Sequence, residues 1–202
     1  MLRRPIIFAT VLALCGTPLA AQVGPYPAFQ PTRVAEREYN FVLADFQGGT
    51  AVVFQWREAL SGARSQFTAE FGMADFGADA ALLLGGSFHL QLTRATDDLP
   101  FDMVLGGGMG VTLINDASIF LIPFGVAIGH RFPLEGAFAI TPYVHPRLTF
   151  ASVNGNSDAD ISFDLGGNFE INSQMQLRLA ATLGGFDAVG LSFAWLPRGL
   201  RR

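Results

Sequence analysis

From Tyr39 onward the apolar residues recur every second position, and this pattern dictates the fold. Phe101, Met103, Leu105, Met109, Val111 and Leu113 share one parity, against Asp102, Gly106, Gly108, Gly110 and Thr112. Leu82, Leu84, Phe88, Leu90 and Leu92 oppose Gly85, Ser87, His89, Gln91 and Thr93. The same alternation runs through Ile161 to Ile171, Met175 to Leu183 and Val189 to Trp195. A helix cannot use it, because residues i and i+2 fall on opposite sides of a helix. A strand places them on one face.

Turn signals punctuate the runs: Gln47-Gly48-Gly49, Leu60-Ser61-Gly62, Phe76-Gly77-Ala78, Thr96-Asp97-Asp98, Asn115-Asp116, Leu134-Glu135-Gly136, Asn154-Gly155-Asn156, Asn172-Ser173 and Gly185-Phe186-Asp187. These nine turns predict ten strands, over 38-46, 50-58, 65-75, 80-94, 101-114, 118-131, 137-152, 159-171, 174-184 and 187-196. Such short connections force antiparallel neighbours and a plain meander. Eight strands would result if the hairpin 38-58 lay outside the closed sheet. Pro142 and Pro146 lack ladder donors, so a bulge or local break is expected near Tyr143 to His145.

Composition decides which face meets the solvent. Half of the 202 residues are hydrophobic and 15% are charged, against roughly 25% charged in a soluble domain. Disorder is excluded, since that needs few apolar groups and many charges. The less apolar stripe is rich in Gly and Ala with isolated charges, a poor water-facing surface but a good lining for a narrow interior. The bulky stripe is nearly free of charge, as hydrocarbon requires. A sheet facing lipid must close, because unpaired edge groups cost several kcal/mol each there. The expected fold is therefore all-β, a closed antiparallel up-and-down transmembrane barrel. Tyr39, Phe46, Trp56, Phe101, Phe120, Phe132, Phe138, Phe150 and Trp195 fall near strand ends, where interfacial aromatic belts lie.

The chain start reads as an address. Met1 to Ala21 has Arg3 and Arg4, an apolar core from Ile6 to Leu14, and the small-residue exit Thr17-Pro18-Leu19-Ala20-Ala21. Its apolar run is too short to span a bilayer, which takes about 20 residues. Cleavage after Ala21 removes Cys15, the one cysteine, and with it any disulfide. It also removes two arginines and no acid, taking the charge from −4 to −6. That balance argues against nucleic acid as a partner. Domain boundaries follow: 1-21 signal peptide, 22-37 extended periplasmic lead-in with Pro25, Pro27 and Pro31, 38-196 barrel, and 197-202 short tail.

With its signal, its alternating strands and a last strand ending at Trp195, the chain resembles the small outer-membrane β-barrel proteins of Gram-negative-type bacteria, the OmpA-like and OmpX-like group. The resemblance covers residues 38 to 196 and implies an outer-membrane location. It also implies outer-membrane lipids and lipopolysaccharide as surroundings, and barrel-assembly machinery as the partner during insertion. Members usually stop at an aromatic residue, whereas Leu196 to Arg202 follow Trp195 here. No peptidoglycan-binding domain follows the barrel, so wall anchoring is not carried over.

Parity assigns the inward polar set: Arg57, Glu70, His89, Asp102, Arg131, His145, Arg147, Asp164, Glu170 and Arg178. Hairpin arithmetic predicts contacts Arg147–Asp164 and Glu170–Arg178. The set reads as a satisfied polar filling, since barrels of about 8 strands are nearly filled and wide pores need 16 or more. A charged constriction selecting small solutes is the functional alternative, and a secreted soluble barrel with an internal ligand is another.

Chemistry is not expected. Ser87 and His89 share the inward parity, but a nucleophile also needs an oriented base and an oxyanion site. His89, His130 and His145 lack metal-ligand spacing. Gly106-Gly107-Gly108-Met109-Gly110 sits mid-strand with no following helix, so it is no phosphate loop. Asp75, Asp79, Asp116, Asp158, Asp160 and Asp187 collect toward one rim without forming a cation-coordinating set. No enzyme activity, cofactor or metal is read from this chain.

Overall fold

A computed structural model describes residues 33-46, 49-60, 64-77, 79-115, 117-184 and 187-197. The signal peptide 1-21, most of the lead-in and most of the tail lie outside the described residues. Ten strands form the wall: β1 (Arg37–Phe46), β2 (Gly49–Ala59), β3 (Ser65–Asp75), β4 (Ala80–Thr93), β5 (Asp102–Ile114), β6 (Ala117–Gly129), β7 (Ala139–Val153), β8 (Asn156–Glu170), β9 (Met175–Gly184) and β10 (Ala188–Trp195). Phe132 and Pro133 add a two-residue pairing against Ile140 and Ala139. Every strand pairs antiparallel with its chain neighbours, and β1 pairs with β10, from Tyr39↔Trp195 to Phe46↔Ala188. The sheet thus closes on itself with no free edge. The first hairpin lies within the closed wall, which makes ten strands, not eight.

The period-two sequence becomes a two-faced wall. Along β1 and β2 residues alternate buried and exposed almost without interruption. One outward row can be followed from strand to strand through Leu179, Leu191, Leu43, Val52 and Met73. All five are exposed large apolar side chains, as are Phe54, Phe71, Phe88, Phe124 and Phe163 elsewhere on the wall. Phe46 departs from the expected aromatic belt. It turns inward, is buried and meets Phe76 edge-on, so it closes the interior instead of facing outward.

The prolines do not break their strand. β7 runs unbroken from Ala139 to Val153, and its ladder with β8 keeps one register throughout. In an antiparallel pair the N–H and C=O of one residue point to the same neighbour. The Pro142 carbonyl accepts from His130 N, which places Pro142, and Pro146 four residues on, on the β6 side. The missing donors therefore affect only that seam. There the pairing skips from Gly125↔Arg147 to Ile128↔Val144 without any register change. Pro123 produces a similar gap on the β5 side of β6, between Gly107↔Phe124 and Gly110↔Leu121.

The two ends differ. One carries tight connections, of which Asn154-Gly155 is the clearest. Both residues have positive φ, 49° and 87°, the conformation of a two-residue hairpin turn that Asn-Gly favours. The other end carries both ends of the described chain and the longer connections 94-101 and 130-138. Val34 and Ala35 are buried at this mouth. The Val34 amide donates to Gln91, and the Ala35 carbonyl accepts from Gln66. The last lead-in residues are thus tied to the barrel.

Candidate functional site

The interior has two halves. Toward the tight-turn end the inward side chains of β1 to β4 are apolar. Val42 of β1, Val53 of β2 and Leu83 of β4 pack in one cluster with Tyr143 of β7 and Ala180 of β9. β4 and β9 stand on opposite sides of a ten-strand ring, so this cluster crosses the lumen. Ile119 and Leu121 form a second buried group beside it. Parity alone had assigned bulky apolar residues to the outside and Gly, Ala and charge to the inside. The inner face of this half breaks that rule.

The other half is polar, and its centre is Glu38. This carboxylate is fully buried and accepts from Arg57 Nη1 at 3.0 Å and from Arg178 Nη1 and Nη2 at 2.7 Å each. Arg57 also donates to Gln55 and Arg178 to Gln176, both at 2.8 Å. Asn40 donates to Gln55 and accepts from Ser192, and Gln55 donates onward to Glu70 at 3.1 Å. Two guanidiniums held by one carboxylate, with amides taking part of their remaining donors, is what makes buried charge tolerable.

Asp164 of β8 organises a second knot with β7 and β9, nearer the tight turns than Tyr143 and Ala180 on those strands. It accepts from Thr182 Oγ1 at 2.7 Å and Arg147 Nη2 at 3.3 Å, and lies 2.9 Å from His145 Nδ1. Arg147 stands directly across from Ser162, so it reaches Asp164 on the diagonal. The predicted Glu170–Arg178 contact is not made. Glu38 captures Arg178 from two strands away, and Glu170 holds Arg131 in a two-pronged pair at 2.8 and 2.6 Å. Glu170 also strengthens the hold of Arg131, a residue beyond the strand end, on its proton. Asp102 accepts from Arg33 Nε at 2.7 Å and from the Ala95 amide at 3.0 Å.

All ten residues singled out by parity are located. Arg57, His89, Asp102, His145, Arg147, Asp164, Glu170 and Arg178 are buried, and Glu70 and Arg131 are half-buried. Glu38, the hub, was missed because it sits at a strand's first residues. Tyr39, Phe41 and Leu43 face outward, and extending that parity backward assigns both Asn40 and Glu38 to the interior. The buried amides Gln55, Gln66 and Gln91 were passed over because they carry no charge.

Glycines seat the rings. A Cβ on Gly106 would lie 2.9 Å from the His89 ring, one on Gly125 2.5 Å from His145, and one on Gly166 2.4 Å from Tyr143. Gly106 faces His89 and Gly166 faces Tyr143 across their ladders. This accounts for the glycine-rich inner stripe without any phosphate-binding role. Ser87 and His89 are not joined as nucleophile and base. Ser87 Oγ has no hydrogen-bond partner among the described residues, and His89 Nδ1 faces Thr68 Oγ1 at 3.4 Å. Among the described residues no three His, Cys, Asp or Glu side chains cluster as metal ligands.

At the chain-terminal mouth the polar half opens into a vestibule of about 460 Å³. Glu38, Arg178, Asn168 and Gln176 line its depth, and Arg33, Arg94, Arg131 and Glu170 its sides. Val34 and Ala35 of the lead-in, with Leu134 and Phe138 of the 130-138 connection, supply an apolar wall. Beneath it lie the buried ion pairs and then the apolar cluster.

No protein-family model matches this chain, and no curated protein does. A solved structure described as KdgM porin resembles it with a TM-score of 0.42 at 6% identity, over 78% of this chain and 98% of that one.

Proposed function

We propose that this protein is an integral outer-membrane β-barrel with a structural, membrane-integrity role and a filled lumen. The observation that carries the reading is the outward face of the closed sheet. Large apolar side chains such as Phe41, Leu43, Phe54, Phe71, Leu179 and Leu191 stand exposed around the wall, while guanidiniums and carboxylates are buried within. A soluble ligand-carrying barrel needs the reverse. Most strands have the roughly 9–11 residues a tilted crossing requires. Outer-membrane lipids, with lipopolysaccharide in the outer leaflet, are its surroundings, and barrel-assembly machinery inserts it. Within that class it resembles the small OmpA-like and OmpX-like barrels.

The lumen favours a filled barrel over a narrow pore. A solute would have to displace Val42, Leu83 and Leu121, all fully buried, after passing the Arg57–Glu38–Arg178 knot. Gel migration and bilayer conductance test both parts. The detergent-folded chain should migrate differently before and after heating, and in planar bilayers it should add no resolved steps. A mature chain that stays monomeric and folded in plain buffer overturns the membrane reading. Regular conductance steps overturn the filled one.

A further inference from the structure

We propose that the vestibule at the chain-terminal mouth binds a small amphipathic anion, a carboxylate or phosphate monoester bearing a short apolar tail. The cavity is blind, because its floor is the Glu38 knot backed by the apolar cluster. A ligand entering it is held, not passed on. Its volume of about 460 Å³ falls within the roughly 300–1,000 Å³ usual for small-molecule sites.

The charge of the lining selects the ligand's head. Arg33, Arg131 and Arg178 are each paired, with Asp102, Glu170 and Glu38. Arg94 is exposed in the same cavity and makes no ion pair with a described residue. The lining thus carries four guanidiniums, Arg33, Arg94, Arg131 and Arg178, against the two carboxylates of Glu38 and Glu170, and the unpaired Arg94 faces the open space. Guanidinium matches carboxylate and phosphate oxygens with two parallel donors. Leu134 and Phe138 are large, apolar and exposed beside Arg94, which gives the tail its surface.

The test uses the full mature chain folded in uncharged detergent micelles, with ligand-observed NMR titration. Hexanoate and hexyl phosphate should bind saturably at one site. Hexylamine should not compete, and inorganic phosphate should bind at least about tenfold more weakly. Arg94→Gln breaks no ion pair of the fold and should weaken both anions by about tenfold, the loss of one charge-assisted pair. Phe138→Ser should weaken hexyl phosphate while leaving inorganic phosphate unchanged. Saturable hexylamine binding, no saturable anion binding, or an Arg94→Gln variant that binds like the parent would each overturn the proposal. Repeating the titration in nanodiscs separates two sources of the same chemistry. Competition by phosphatidylglycerol but not phosphatidylcholine makes the occupant a lipid headgroup, and its absence makes it a free anion. These readouts are independent of conductance and gel migration, so their failure leaves the barrel reading standing.

Discussion

Glu38 is a carboxylate whose removal strands two cations. Both Arg57 and Arg178 are buried against it, and each also donates to one neutral amide, Gln55 and Gln176. Replacing one member of a buried pair leaves an uncompensated charge, at a cost of about 3–5 kcal/mol. Glu38→Gln should therefore lower the guanidinium midpoint of the micelle-folded barrel strongly, whereas Glu135→Gln, on an exposed connection, should not. Gly166 gives a steric counterpart. Gly166→Ala would drive a methyl into the Tyr143 ring and should cost about 1–3 kcal/mol by overpacking. Adding Tyr143→Ala to that variant removes the obstacle, so the two effects should be strongly non-additive in a double-mutant cycle. Gly86→Ala, whose new methyl would meet nothing closer than 3.4 Å, should be tolerated.

At the scale of the strand, alternation made most of the wall legible from sequence. Leu82 to Thr93 and Phe101 to Leu113 carry the pattern so regularly that strand, face and neighbour follow together. Three things did not follow. Pro146 looked like a break, but whether proline harms a ladder depends on which neighbour its nitrogen faces, a property of the assembled sheet. Phe46 looked like a belt residue, because position along a strand does not tell in from out. Val42, Leu83 and Leu121 look like their outward neighbours in kind, so only the parity of the whole strand reveals them as filling. Of the polar interior, charge and parity marked the residues, while the pairings needed the geometry. Glu170 and Arg178 are near in one hairpin yet each has a better partner elsewhere. The outward face makes its own prediction. Leu179→Arg, at mid-strand on β9, should cost about 2–4 kcal/mol of bilayer folding stability if the site lies near the membrane midplane. Vesicle refolding titrations measure this. A change within about 0.5 kcal/mol, the usual surface value, would mean that Leu179 meets water.

For the whole molecule, closure is the organising event. β1 and β10 are separated by nearly the full chain, yet they pair over eight positions, and no strand edge is left exposed. Inside this ring, side-chain chemistry divides by sector as well as along the axis: apolar packing under the tight turns of β1 to β4, the Asp164 knot across β7 to β9, the Glu38 ion pairs toward the chain ends, and then the vestibule.

The ring of backbone hydrogen bonds is nonetheless thinner in one sector. Besides the bulge at Leu92 in the β4–β5 ladder, two gaps in pairing fall on one strand, β6, one beside Pro123 and the other beside Pro146, so this strand is interrupted on both sides. Breathing of the cylinder should begin there. Deuterium should reach the amides of Gly108, which faces Pro123, and Val126, which faces Pro146, sooner than those at matching depth in β1 or β9, which makes β6 the stave along which the cask first opens.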